Sequence, residues 1–141
     1  MSGACDFHAL LRMANEVRRN SYAPYSGFRV GAALLADSGK VYLGCNVENA
    51  SYGATCCAER SALFAAISAG ERSFWAIALV GGKDDEGDDG VFPCGICRQA
   101  LCEFCPPDMP VVLKFGNAYK VYALSDLLPK AFTPKDLGLA N

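Results

Sequence analysis

A single histidine, His8, stands among the 141 residues, and that scarcity excludes most familiar hydrolytic chemistry. A Ser-His-Asp triad or a Cys-His pair would have to recruit His8 from the amphipathic segment that holds it. A metal centre would have to be built from thiolates and carboxylates. No apolar run approaches the roughly 20 residues of a membrane span, and MSGACDFHALLRM has neither the basic start nor the apolar stretch of a secretion signal. Neither sign of charge dominates: 13 Lys and Arg oppose 15 Asp and Glu, a net charge of -2, which leaves no electrostatic footprint for a long polyanion. Internal repeats, linkers and low-complexity stretches are also missing. These absences predict one soluble, cytoplasmic domain over residues 1–141, with neither nucleic acid nor membrane as partner.

What the chain does have is a core and thiols. Apolar residues make up 52% of it, enough for one globular domain at this length. Eight cysteines occupy positions 5, 45, 56, 57, 94, 97, 102 and 105. Without a secretion signal they read as reduced thiols or metal ligands rather than a disulfide framework.

Hydrophobic periodicity orders the rest. From Asp6 to Asn20, Phe7, Leu10, Leu11, Ala14 and Val17 recur at helical spacing, with Asp6 as cap and Arg18 and Arg19 suiting the C-terminal end. SYAPYSGF breaks that helix, and Phe28–Ala36 and Lys40–Val47 read as a hairpin turning at Asp37-Ser38-Gly39. Cys57–Ala69 reads as a helix stopped by Gly70, and Trp75–Val80 as a central strand. The acidic KDDEGDDG is most simply a solvated loop. Pro93 introduces a third helix to about Phe104. Val111–Phe115 and Tyr119–Ala123 then form a second hairpin around Gly116-Asn117, after which Ser125 caps a short helix. The expected fold class is α/β: a three-layer α/β/α arrangement around a mixed five-stranded sheet.

Two of these helices open on cysteine, at Thr55-Cys56-Cys57-Ala58-Glu59-Arg60 and at Pro93-Cys94-Gly95-Ile96-Cys97-Arg98-Gln99. Strands that feed two helices place both helix starts at one sheet edge, where open α/β folds bind ligands. A thiolate there is stabilised by the helix dipole and free N–H groups. Cys57, Cys94 and Cys97 can therefore hold one Zn2+ and leave the fourth tetrahedral position to water, as catalytic zinc does. Glu59, about 200 degrees around the helix from Cys57, suits a carboxylate beside the metal rather than on it. Three thiolates and one Zn2+ sum to -1. Arg60, on nearly the same helix face as Cys57, and Gln99 are candidates to donate hydrogen bonds to the sulfurs and offset that charge.

C-A-E followed by P-C-x-x-C resembles the zinc nucleoside deaminases, and within them the small homotetrameric cytidine deaminases. The resemblance runs through PYSGFRVGAAL, GCNVENASYG, CAERSAL, PCGICRQ and LLPKAFTPKDL. It implies Cys57, Cys94 and Cys97 as ligands of one zinc per chain and Glu59 as proton shuttle. It also implies Asn46 and Glu48 as the pair on the ribose hydroxyl, with Phe28 beside the pyrimidine. Tyr52 and Phe132 would complete a neighbouring subunit's pocket. The implied reaction is attack of zinc-bound hydroxide on C4 of cytidine or 2'-deoxycytidine, giving uridine or 2'-deoxyuridine plus ammonia in pyrimidine salvage.

Two other readings compete. Cys94, Cys97, Cys102 and Cys105 make a double C-x-x-C that would close a purely structural zinc site. A polynucleotide cytosine deaminase would use the same chemistry, although its usual H-x-E ligand is missing here. Cys56 competes with Cys57 as ligand, but the C-A-E spacing selects Cys57. Aromatics such as Phe28, Tyr52 and Phe132 are ordinarily core.

Overall fold

Asp6 starts the first helix as its side chain predicts: Oδ1 accepts the backbone N–H of Ala9 at 3.0 Å. In the computed structural model, which describes residues 6–139, the elements in chain order are α1 (Phe7–Val17), β1 (Arg29–Ala36), β2 (Val41–Cys45), α2 (Ala58–Ser68), β3 (Phe74–Gly82), α3 (Gly95–Phe104), β4 (Pro110–Phe115), β5 (Ala118–Ala123) and the short α4 (Leu124–Leu127). Cys5 lies outside the described residues.

The five strands form one mixed sheet in the order β2-β1-β3-β4-β5. Only β3 and β4 pair in parallel; the other neighbours are antiparallel. Alternation along β1 decides the layers. Ala32, Leu34 and Ala36 face α2 and α3 with Ile77, Leu79, Val111 and Leu113, whereas Ala33 and Leu35 face α1 with Ala76, Ala78, Val80 and Val112. The sheet is thus covered on both sides, which is why β1 and β3 read as near-continuous apolar runs. The expected three-layer α/β/α arrangement is what the chain adopts.

Two glycines set how close the helices come. A methyl group added at Gly31 would sit 1.9 Å from the Ala14 carbonyl oxygen of α1, and one at Gly44 would sit 2.4 Å from both Ala58 O and Ala62 N of α2. Both contacts are with backbone, so neither helix can yield without moving bodily. Gly44 is therefore the point at which the α2 axis is held against the sheet.

Local departures from the sequence reading have physical causes. The first helix is regular only to Val17, and Arg18–Asn20 tightens into a 3-10 turn. Arg18 does not flank the helix end in solvent. It is 2% exposed, and its guanidinium donates to Gly82 O at 3.1 Å, Asp85 O at 2.8 Å and Asn15 Oδ1 at 3.1 Å. The acidic segment after β3 is accordingly pinned rather than simply solvated, and Asp89 adds bonds from Gly116 N and Lys114 Nζ. Ser125 does not cap α4. Its cap falls two residues earlier, at Ala123, with the Asp126 carboxylate accepting the Ala123 N–H at 3.0 Å.

Replacing Gly44 with Ala must push α2 away from β2. Overpacking of this kind costs about 1–3 kcal/mol, and here it also displaces Cys57 and Glu59. The expected result is a lower melting temperature together with weakened zinc retention, measured on the same preparation. A melting temperature equal to that of the wild type would show that α2 tolerates the extra methyl.

Candidate metal and substrate site

Because β2 and β3 are both antiparallel to β1, they run in the same direction and end at the same sheet edge. The strands that deliver α2 and α3 are therefore not adjacent, yet both helices start at one place. Cys57 is the N-cap of α2 and Cys94 the N-cap of α3, each with extended backbone and neither using its side chain as a cap. The free N–H groups of two helix starts consequently face the thiols, and the sulfurs are left for another partner.

The sulfurs of Cys57, Cys94 and Cys97 all lie within 4.8 Å of one another. Cys57 and Cys94 are 3.7 Å apart and Cys94 and Cys97 3.5 Å. A tetrahedral zinc with Zn–S bonds of about 2.3 Å separates its sulfurs by roughly 3.8 Å, so the donor set and its spacing fit zinc. Among the described residues this is the only cluster of its kind.

Electrostatics sharpen the cluster. The Cys57 thiol is held down to about 5, chiefly by the neighbouring Cys97 thiol, with further help from Arg60. Cys97, buried behind it, is pushed up by the neighbouring Cys57 thiolate and by its own burial. Arg60 Nη2 lies 3.5 Å from Cys57 Sγ, and its own proton is held more firmly in return. Glu59 is 4% exposed. Burial raises its carboxyl to about 7, and the neighbouring Cys57 thiolate adds to the effect. A buried acid at that value can both take and give a proton near neutrality.

Past Cys45 the chain leaves β2, and Val47 pairs with Cys56 through two backbone bonds, Val47 N to Cys56 O at 2.9 Å and Cys56 N to Val47 O at 3.0 Å. This ring ties the Asn46–Glu48 segment directly to the residue before Cys57. Asn46 and Glu48 reach toward one stretch of chain. Asn46 Nδ2 donates to Phe28 O and its Oδ1 accepts from Val30 N, both at 2.8 Å, leaving Oδ1 a second acceptor lone pair. Glu48 Oε1 accepts from the N–H groups of Tyr25 (2.9 Å) and Ser26 (3.1 Å), and Oε2 from the Ser26 hydroxyl. That hydroxyl holds the Glu48 carboxyl below its usual range. Phe28 lies over Gly81, where an added methyl would meet its Cε2 at 3.2 Å.

Tyr52, on a 3-10 turn, is 77% exposed and meets Tyr25 edge-on at 6.2 Å; Phe132 is 58% exposed. Neither ring belongs to the core, contrary to the ordinary expectation for aromatics. Gln99 does not reach the sulfurs in the described hydrogen bonds. Its Nε2 donates to Phe132 O at 2.9 Å, because its face of α3 looks toward the C-terminal segment. Cys102 and Cys105 lie at the far end of α3, where with Phe74, Leu124 and Leu128 they line a cavity of about 770 Å3, so the four-cysteine closed zinc site does not form. Cys56 receives Ser61 Oγ at 3.6 Å and stays outside the cluster. The Val47–Cys56 ring and Gly81 were not singled out from the sequence, although Gly81-Gly82 at the end of an apolar strand is a signal of close approach.

The comparisons agree with this geometry. The family model of the cytidine and deoxycytidylate deaminase zinc-binding region matches residues 6–113. A cytidine deaminase of Sporosarcina psychrophila is 47% identical over 136 residues, covering 96% of this chain and 97% of its own. One of Mycobacterium tuberculosis is 40% identical over 132 residues, covering 94% and 93%. Among solved structures, a cytidine deaminase from Burkholderia pseudomallei superposes with a TM-score of 0.83 at 49% identity, over 91% of this chain and all (100%) of that one.

Arg60 to Gln removes a cation from a site whose formal charge is already negative. Zinc should leave the variant several-fold faster in a chelator-competition assay, or the pH–rate profile should shift. Wild-type behaviour in both would remove Arg60 from the charge balance.

Proposed function

We infer from membership of the cytidine and deoxycytidylate deaminase family, to which this chain belongs, that it is a zinc-dependent hydrolase converting cytidine and 2'-deoxycytidine to uridine and 2'-deoxyuridine with release of ammonia. The observation that carries this reading is the cluster of three sulfurs, spaced for one zinc, beside a buried carboxylate. Residues 1–141 act as one catalytic unit.

Cys57, Cys94 and Cys97 hold the zinc, which when bound supplies a Lewis acid that brings the pKa of water toward neutrality. Glu59 takes the proton of the attacking water and delivers it to N3 of the pyrimidine. It then serves the departing amine: the C4–N4 bond breaks, oxygen stays on C4, and one water is consumed for each ammonia released. Phe28 flanks the base. Asn46 and Glu48 bind the ribose hydroxyl, with Ser26 yielding its bond to Glu48 as sugar enters, which favours a nucleoside over a free base.

The exposed rings of Tyr52 and Phe132 support a pocket completed by neighbouring copies, and the resemblance supports four of them. Reduced thiol ligands and the nucleoside substrate suit a cytoplasmic role in pyrimidine salvage.

Glu59→Gln should keep one zinc per chain and lose at least 10²- to 10⁴-fold in kcat, the range of general acid–base catalysis, measured as ultraviolet loss of cytidine. Retained turnover would defeat the assignment, and single-stranded DNA outcompeting cytidine would favour the polynucleotide reading. A shared pocket has its own signature. Phe132→Ala and Glu59→Gln chains, each weakly active alone, should regain activity when co-assembled, because some pockets then combine an intact Glu59 with a neighbour's intact Phe132. No gain over the separate preparations would confine the pocket to one chain.

A further inference from the structure

The segment from Pro93 to Arg98 holds two of the three sulfurs, and Arg98 closes it on itself. Its Nε donates to Pro93 O at 2.7 Å, the carbonyl immediately before Cys94, while its backbone N–H continues the helix to Cys94 O at 3.0 Å. A guanidinium has donors in a fixed planar fork. The second prong, Nη1, donates to Leu127 O at 2.7 Å, at the end of α4. Neither acceptor is charged, and Arg98 takes part in none of the described ion pairs, so the side chain is placed for its geometry rather than to neutralise a carboxylate. The next residue, Gln99, ties the same C-terminal stretch at Phe132 O.

We propose that Arg98 is a positioning residue that locks the Cys94 loop to the C-terminal segment. It fixes the position of the Cys94 sulfur and, through α4, the placement of Phe132. Pro93 is buried and lacks an N–H, so the Pro93 carbonyl is the handle by which the loop can be held from outside. Both 2.7 Å bonds are charge-assisted and short, the strong class of protein hydrogen bond. Loss of the fork frees the Pro93 carbonyl to rotate and Cys94 to withdraw from the sulfur cluster, and it leaves Gln99 alone to hold the segment that carries Phe132.

The proposal rests on the zinc deaminase reading, and the experiment separates the two. Zinc-loaded wild type, Arg98→Gln and Arg98→Lys are mixed with the chromogenic chelator 4-(2-pyridylazo)resorcinol and the rate of zinc transfer is recorded, with kcat and KM for cytidine and the melting temperature measured on the same samples. Arg98→Gln should release zinc at least tenfold faster and raise KM. Arg98→Lys, whose single ammonium cannot reproduce the planar fork, should fall between Arg98→Gln and wild type on both readouts. If the glutamine variant does not fold, the lysine variant decides by the same two measurements. Zinc release and KM at wild-type values beside a lowered melting temperature would reduce Arg98 to ordinary stabilisation and overturn the proposal. A wild type that holds zinc but leaves cytidine intact would defeat the functional reading, while the release rates would still decide the role of Arg98.

Discussion

Everything at the site depends on two helix starts meeting at one edge of the sheet. Strand direction produces the meeting: β1 lies between β2 and β3 and is antiparallel to both, so the flanking strands end together. The N-cap positions of α2 and α3 then fall to Cys57 and Cys94. A cysteine at that position keeps its backbone extended and its sulfur beyond the first turn, near N–H groups that have no partner within the helix. Cys97, one turn further along α3, brings the third sulfur to the same point.

Concentrating thiolates in this way carries an electrostatic cost, and the surrounding residues answer it in different ways. Arg60 offers a cation to Cys57 at 3.5 Å, and the two helix dipoles add positive potential. Glu59 experiences the opposite field. Burial and the adjacent thiolate both disfavour its charged form, so it is poised to exchange a proton rather than remain a permanent anion. Arg60 and Glu59 are neighbours in sequence but differ in role because consecutive helical residues point about 100 degrees apart.

How much of this was legible in the sequence depended on whether the information was local. The cap at Asp6, the two hairpins, the helix starting after Cys57 and the spacing of C-A-E with P-C-x-x-C are all encoded within a few residues, and the structure places those elements within one or two residues of the reading. The side-chain destinations of Arg18, Gln99 and Arg98 were not legible in this way. Arg18 suited the C-terminal end of the first helix but bonds to Gly82 and Asp85, more than sixty positions along the chain, and Gln99 reaches Phe132 rather than sulfur. Periodicity gives the direction of a side chain around its own helix. It carries no information on which distant segment the tertiary fold brings to that face.

The candidate site is unevenly built. Its sulfur end is held by several independent means: Gly44 seats α2, the Val47–Cys56 ring joins the polar segment to the start of α2, and Arg98 closes the Cys94 loop. At Tyr52 and Phe132 the backbone is fixed, by a 3-10 turn and by Gln99, while the rings stand in solvent. An exposed large aromatic gains no burial energy in the isolated chain, and a held backbone lowers the entropy lost when a partner covers the ring. Rings presented in this manner are suited to contributing area to another surface, and they lie on the segments that the sulfur-bearing helices anchor. Any movement of α3 that shifts Cys94 therefore also shifts the carbonyls that Arg98 and Gln99 hold, at Leu127 and Phe132.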